Sequence, residues 1–173
     1  MNYIIKEIEK DDLYDYMYVN TYAWNETYKG IIPDEFLDKI KRELDQNVER
    51  LKTKFDQEKI EQPNYKRYLL YVDEEPVGMV AICNSREEKY PHSGEICVLY
   101  LLNKAKKKGF GRILFEKAVS ELKSVGFNDM IINCLKDNPT TKFYEHMGGR
   151  LVFEKNINIG GKDLIENVYY FQL

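Results

Sequence analysis

The run Lys106 to Arg112, KKKGFGR, gathers residue types that hold an anion. Lys104, Lys106, Lys107, Lys108 and Arg112 supply positive field, and Gly109 and Gly111 bracket Phe110. Where a strand gives way to a helix, the first-turn amides have no partner within the helix and lie at the positive end of its dipole. Glycines there let successive N–H groups converge, and let a phosphate approach without meeting a Cβ. The spacing predicts a phosphate cradle for a nucleotide-like cofactor. It lacks the third glycine of a dinucleotide-binding fingerprint and the Gly-Lys-Ser/Thr of a P-loop. Taken by itself, the run is equally compatible with a solvated lysine face and a plain turn.

Periodicity supplies the elements around this loop. Tyr3 to Ile8 reads as a strand, and Leu13, Tyr14, Met17, Tyr18, Tyr22 and Ala23 recur at helical spacing until Gly30. Pro33 and Asp34 open a long helix, long enough to be broken, with an apolar stripe from Phe36 to Phe55 and an end by Gln62-Pro63. Tyr68 to Val72 and Val77 to Cys83 form a hairpin about the turn Asp73 to Pro76. Glu95 to Leu102 is too apolar for a half-exposed strand, which places it centrally in the sheet. Phe110 to Val125 is an amphipathic helix, Met130 to Cys134 a strand, and Pro139 to Met147 a short helix stopped by Gly148-Gly149. Two last strands, Arg150 to Ile159 and Leu164 to Leu173, join through Gly160-Gly161. This order predicts one mixed-sheet α/β (α+β) domain over residues 1–173, with helices covering a largely antiparallel sheet.

The 173 residues, 43% hydrophobic, suffice for one compact core. A net charge of -3 argues against a general nucleic-acid binder. Apolar runs are too short for a membrane span, and MNYIIKEIEKDD, with no continuous apolar stretch, is not expected to act as a signal peptide. Cys83, Cys97 and Cys134 each sit in an apolar run and read as buried hydrophobes of a reducing cytoplasm. With no CxxC and only His92 and His146, no metal site is expected.

The strand EICVLYL, then KKKGFG, an amphipathic helix, a strand, and Asn138-Pro139 with Phe143-Tyr144-Glu145 and Gly148 together resemble the GNAT superfamily of acyl-CoA-dependent N-acetyltransferases. WNETYKGIIPDEFLD, from Trp24 to Asp38, is similar to the acceptor-side helices of bacterial members, and the C-terminal segment to their final hairpin. Lys106 departs from the usual Gln or Arg, and Asn103 from the common Pro. Lysine keeps the charge but not the planar fork. The resemblance implies the GNAT fold, a central mixed, mostly antiparallel sheet splayed near its middle and flanked by helices. It implies acetyl-CoA as co-substrate. Backbone groups of Leu99, Tyr100 and Leu101 would pair with the pantetheine arm, Lys107, Lys108, Gly109, Phe110, Gly111 and Arg112 would cradle the pyrophosphate, and Asn138 would bind further along.

The resemblance also makes Tyr144 the general acid for the departing thiolate. A phenol of pKa about 10 is protonated at neutral pH and can donate to a thiolate whose acid has a pKa near 8.5. Its alternative is a core tyrosine beside Phe143. Glu95 matches a common position of the base that deprotonates the amine, against the alternative of a solvated glutamate at a strand end; Glu26 and Glu35 are weaker candidates. Tyr14, Tyr16, Tyr18, Tyr22 and Tyr28 crowd the first helix, either as rings at its surface or as an aromatic acceptor groove. Trp24 and Tyr28 are the acceptor-side contacts expected of such a groove. The function expected is acetyl transfer to a primary amine, small-molecule or protein, by direct attack in a ternary complex. One alternative is a non-catalytic acyl-CoA-binding sensor. Another is an RNA or ribosomal-protein contact through Lys104 to Lys108, which the net charge disfavours for RNA. The hydrophobic final hairpin (VYYFQL) is expected to be able to pair across a homodimer.

Overall fold

The computed structural model describes residues 2–173. Along the chain lie β1 (Tyr3–Glu7), α1 (Leu13–Tyr28), α2 (Asp34–Arg42), α3 (Leu44–Glu61), β2 (Lys66–Val72), β3 (Glu75–Asn84) and β4 (Gly94–Leu101). α4 (Phe110–Ser124), β5 (Asp129–Leu135), α5 (Thr141–His146), β6 (Arg150–Ile159) and β7 (Lys162–Gln172) complete it. The long helix expected after Pro33 is interrupted at Glu43. Its apolar stripe serves two surfaces: Leu37 packs beside Tyr28 and Ile32, while Val48, Leu51 and Phe55 pack against Leu13, Tyr16 and Val19 of α1. One straight helix cannot lie along both.

The seven strands run in the order β1-β2-β3-β4-β5-β7-β6. Every pairing is antiparallel except β4 with β5. Side chains alternate across a strand, so Leu70, Val80 and Ile82 meet α4 on one face while Leu69 and Met79 meet α1 and α3 on the other. That two-sided cover explains why these strands read as unbroken apolar runs. Of the first-helix tyrosines expected either at the surface or in a groove, Tyr14 is exposed but Tyr16 is buried in the core, and Tyr28 is buried at the helix end. No helix among the described residues is long and apolar enough to cross a membrane.

In the final hairpin the outer strand is β6, at the sheet edge, while β7, which carries VYYFQL, lies inside the sheet with β5 on one side and β6 on the other. Its apolar character reflects that position: Val168, Tyr169 and Phe171 are buried.

Candidate functional site

The site begins where β4 and β5 part. Gly94 pairs with Met130 and Glu95 with Ile131, and no pairing continues beyond. On the other edge of β4 the ladder to β3 slips between Ala81 and Ile82, so that Cys97 is the extra residue of a β-bulge. A bulge bends its strand and increases local twist, which turns β4 away from β5. Backbone groups of both strands facing the gap are left without a strand partner.

One cleft, of about 330 Å³, opens on the α4 and α5 side of the gap. Val98, Leu99, Tyr100 and Leu101 of β4 line one wall, and Ile132, Asn133 and Cys134 of β5 line the other. Its mouth is the loop, with Lys106, Lys107, Gly109, Gly111 and Arg112. Lys107 (φ 61) and Gly109 (φ 86) both take the left-handed conformation, which curls the chain ahead of α4. The five consecutive amides from Lys107 to Gly111 find no acceptor among the described residues, and the first N–H of the helix to be bonded is that of Arg112, to Gly109. A concave row of unpaired N–H groups at a helix N-terminus under positive charge holds an anion. The loop is anchored behind by the Asn103 N–H, which donates to Glu26 at 2.6 Å. Lys106, the atypical residue, lies 3.5 Å from the Thr27 hydroxyl.

The floor of this cleft carries Asn138, Phe143 and Tyr144. Asn138 Oδ1 accepts the Thr140 N–H at 2.9 Å, so α5 starts at Thr141 rather than at Pro139. At the far end of α5 the Gly149 N–H donates to the Tyr144 carbonyl at 2.9 Å. A Cβ at Gly149 would come within 2.6 Å of Phe171 and 2.8 Å of that carbonyl, so the helix is pressed onto β7. Tyr144 is 5% exposed, and burial pushes its phenol well above the ordinary value. It therefore stays protonated, able to donate.

A second cleft, of about 400 Å³, opens on the opposite side of the gap. Trp24, Leu135 and Ile159 give it apolar surface, and Arg86, Glu95, Lys155 and Glu166 give it charge. Tyr28, Cys97, Tyr100 and Asn133 belong to both clefts and form the wall between them. The Tyr28 and Tyr100 hydroxyls lie 3.0 Å apart. Burial holds Tyr28 up at about 12 and Tyr100 well above its usual value, so both remain neutral. Asn133 Oδ1 is shut from solvent with no donor among the described residues, a buried acceptor awaiting an N–H.

Glu95 is not the solvated strand-end glutamate that its position in the sequence allows: its side chain is 0% exposed. Both its oxygens are taken by Arg86, through Nη2 at 2.6 Å, Nε at 3.3 Å and the Arg86 backbone N–H at 2.9 Å. That carboxylate raises the Arg86 pKa. Lys155 binds Glu87 at 2.6 Å and lies 3.4 Å from Glu166. Desolvation raises Glu166 despite Lys155, and its second oxygen has no partner among the described residues.

The structure thus brings Trp24, Tyr28, Glu95, Leu99 to Leu101, Lys107, Gly109, Gly111, Arg112, Asn138 and Tyr144 around one parted pair of strands. Lys108 is exposed and Phe110 is buried in the core, so each offers the cradle its amide alone. Glu35 is exposed on α2 and lines neither cleft, while Glu26 serves the loop. Cys97, expected as core, lines both clefts instead, because the bulge exposes it. Arg86, Asn133, Lys155 and Glu166 were missed. The one signal for the last was a charge set inside the apolar run of the final strand.

Residues 22–149 match the family model described as the acetyltransferase (GNAT) family. An uncharacterized N-acetyltransferase of Bacillus subtilis (strain 168), YuaI, is 27% identical over 164 residues, spanning 94% of this chain and 88% of that protein. The PaiA N-acetyltransferase of Thermoplasma acidophilum, solved with coenzyme A, superposes with a TM-score of 0.73 at 18% identity, covering 100% of both chains. The acetyltransferase YncA of Salmonella typhimurium, solved with acetyl-CoA, gives 0.71 at 16% identity, over 98% of this chain and 93% of that one. At such identities these structures speak for the fold. With the family model matching most of its length, the chain belongs to the GNAT acetyltransferase family.

Proposed function

We propose that the protein transfers the acetyl group of acetyl-CoA to a primary amine by direct attack in a ternary complex. The observation that carries this reading is the shared wall: two clefts of different chemistry meet across Tyr28, Cys97, Tyr100 and Asn133 where β4 and β5 part. Donor and acceptor can enter from opposite sides and meet with no carrier between them.

On the donor side, the unpaired amides Lys107 to Gly111, with Lys107 and Arg112, suit a pyrophosphate. The unpaired edge at Leu99, Tyr100 and Leu101 suits the amides of a pantetheine arm, which can add as a strand does. The buried Asn133 acceptor and the Asn138 carboxamide stand along the same path. Tyr144, held neutral by burial, donates its proton to the departing thiolate. Backbone amides in the gap face the place where the thioester oxygen gains charge.

On the acceptor side an alkyl ammonium of pKa near 10 must lose a proton before it attacks. Glu95 and Glu166 are the carboxylates that line this cleft. Glu95 gives both oxygens to Arg86, so its part is to fix that guanidinium. Glu166 keeps a free oxygen and is more basic than an ordinary carboxylate because burial raises its pKa, which suits a base. Initial rates of thiol release, with acetyl-CoA and amine both varied, test the scheme. Intersecting reciprocal plots are expected; parallel plots with an isolable acetyl-protein would overturn direct attack.

A further inference from the structure

The acceptor cleft is lined by two cations, Arg86 and Lys155, and two carboxylates, Glu95 and Glu166, with Glu87 behind Lys155, and all of the lining four but Glu95 keep bonding capacity. Arg86 spends Nε, one Nη2 hydrogen and its backbone N–H on Glu95, while no acceptor among the described residues bonds Nη1, and its side chain is 66% exposed. Of five guanidinium N–H groups, most therefore stay available. Lys155 has donors beyond its bonds to Glu87 and Glu166, and Glu166 has its unpartnered oxygen. Arg86 and Glu95 lie close enough to act on the charge of Glu166, so these groups share one field. Beside them Trp24, Leu135, Ile159 and the Tyr100 ring make an apolar end in a space of about 400 Å³.

A polyamine would bring two or more positive charges to a cleft where, of the lining carboxylates, Glu166 alone keeps an oxygen free to meet one. A simple alkylamine would leave the free donors of Arg86 and Lys155 facing a desolvating ligand with nothing to bond. Both mismatches cost affinity. A molecule carrying one ammonium, one carboxylate and an apolar side chain meets all of these groups.

Resting on the acetyl-transfer reading, we propose that the acceptor is a free α-amino acid with an apolar side chain. Its ammonium lies against the free oxygen of Glu166, its carboxylate takes the spare donors of Arg86 and Lys155, and its side chain lies on Trp24 and Ile159. The product is the N-acetyl amino acid: a C–N bond forms and the thioester C–S bond breaks, the ammonium loses one proton to the Glu166 carboxylate before attack and a second to solvent after it, and the thiolate takes a proton from Tyr144, which regains one from solvent.

The test compares leucine, isoleucine and phenylalanine with their carboxamides, their decarboxylated amines and spermidine, in thiol release from acetyl-CoA. The amino acids are expected to exceed the matched analogues in kcat/KM by about 10- to 100-fold, the worth of hydrogen bonds to a charged group. Carboxamides, alkylamines or spermidine used as well as or better than every amino acid would overturn the proposal. Calorimetry of leucine and of isopentylamine on the CoA-bound protein reads acceptor class without turnover. Preferential leucine binding with no thiol release would sink acetyl transfer and leave the acceptor class standing; equal binding would sink the class alone. In Lys155→Met and in Arg86→Lys, which keeps a partner for Glu95, the leucine-to-isopentylamine ratio is expected to fall several-fold. An unchanged ratio in both would remove these residues, and the proposal with them.

Discussion

The two clefts share a wall and are built in opposite ways. The donor cleft is made of backbone: the edges of β4 and β5, and five unpaired amides at the start of α4. The acceptor cleft is made of side chains, held by ion pairs from the segment before β4 and from β6 and β7. A backbone site recognises whatever has amides and phosphates in the right order, and it tolerates exchange of most side chains. A side-chain site recognises one pattern of charge, and single substitutions rewrite it.

The largest expected effect comes from the one side chain on which the donor side depends for chemistry. Tyr144→Phe removes the proposed proton source and little volume. A fall in kcat of about 10²- to 10⁴-fold is expected, with CoA affinity unchanged in calorimetry. An unaltered kcat across neutral to alkaline pH would return Tyr144 to the core.

Next is Glu166→Gln, which should move activity and stability in opposite directions. Loss of the free carboxylate is expected to lower kcat with amine by roughly 10²-fold. Burial raises the Glu166 pKa above its ordinary 4.5 even with Lys155 beside it, with Glu95 adding to the rise and Arg86 opposing it. A carboxyl with a raised folded-state pKa contributes stability below its unfolded value and loses it as pH rises through the folded one. At neutral pH the ionised Glu166 therefore costs stability, and the variant's Tm should exceed that of the wild type. The gap should close as pH falls below about 4, near the unfolded value of a glutamate. A lower Tm for the variant at neutral pH would mean that the Lys155 pair dominates.

How much of this was legible follows the same division. The loop could be read because its parts are contiguous, Lys106 to Arg112 running from strand end to helix start. The sheet could be read because β2, β3 and β4 are apolar on both faces. The acceptor cleft could not, because register assembles it. Glu166 stands opposite Leu135 in one ladder and Lys155 in the next, and neither spacing carries a signal in the chain. Glu95 was found by its place at the start of the central strand, but nothing in the sequence said that Arg86 would claim both its oxygens. The exposure of Cys97 was likewise hidden, since a bulge between Ala81 and Ile82 is a property of the ladder.

A smaller effect tests the backbone character of the donor cleft. Gly109 holds φ 86 with open space around it, so alanine there meets no neighbour and only the conformation is opposed. The left-handed region costs a residue with a Cβ about 1–2 kcal/mol. Gly109→Ala should raise the Kd for CoA by about tenfold, while the KM for amine at saturating acetyl-CoA stays where it was. An equal change on both sides would mean that the clefts are not independent.

The smallest expected effect bears on the wall itself. Cys97 lines both clefts and is the thiol through which an acetyl group could be handed from one to the other, the Tyr28 and Tyr100 hydroxyls beside it being held neutral. Its Sγ instead donates to the Ala81 carbonyl at 3.5 Å, across the bulge, and no histidine or lysine lies in hydrogen-bond contact with it to draw off the thiol proton. A thiol bonded into the sheet is part of the bend that opens the gap. Cys97→Ala keeps the bulge's backbone and loses one weak bond, so kcat/KM should stay within about threefold, under ~1 kcal/mol. Intersecting kinetics should persist. A loss beyond a hundredfold, with an acetylated Cys97 found by mass spectrometry in the wild type, would turn the wall into a relay and the two clefts into successive stations of one path.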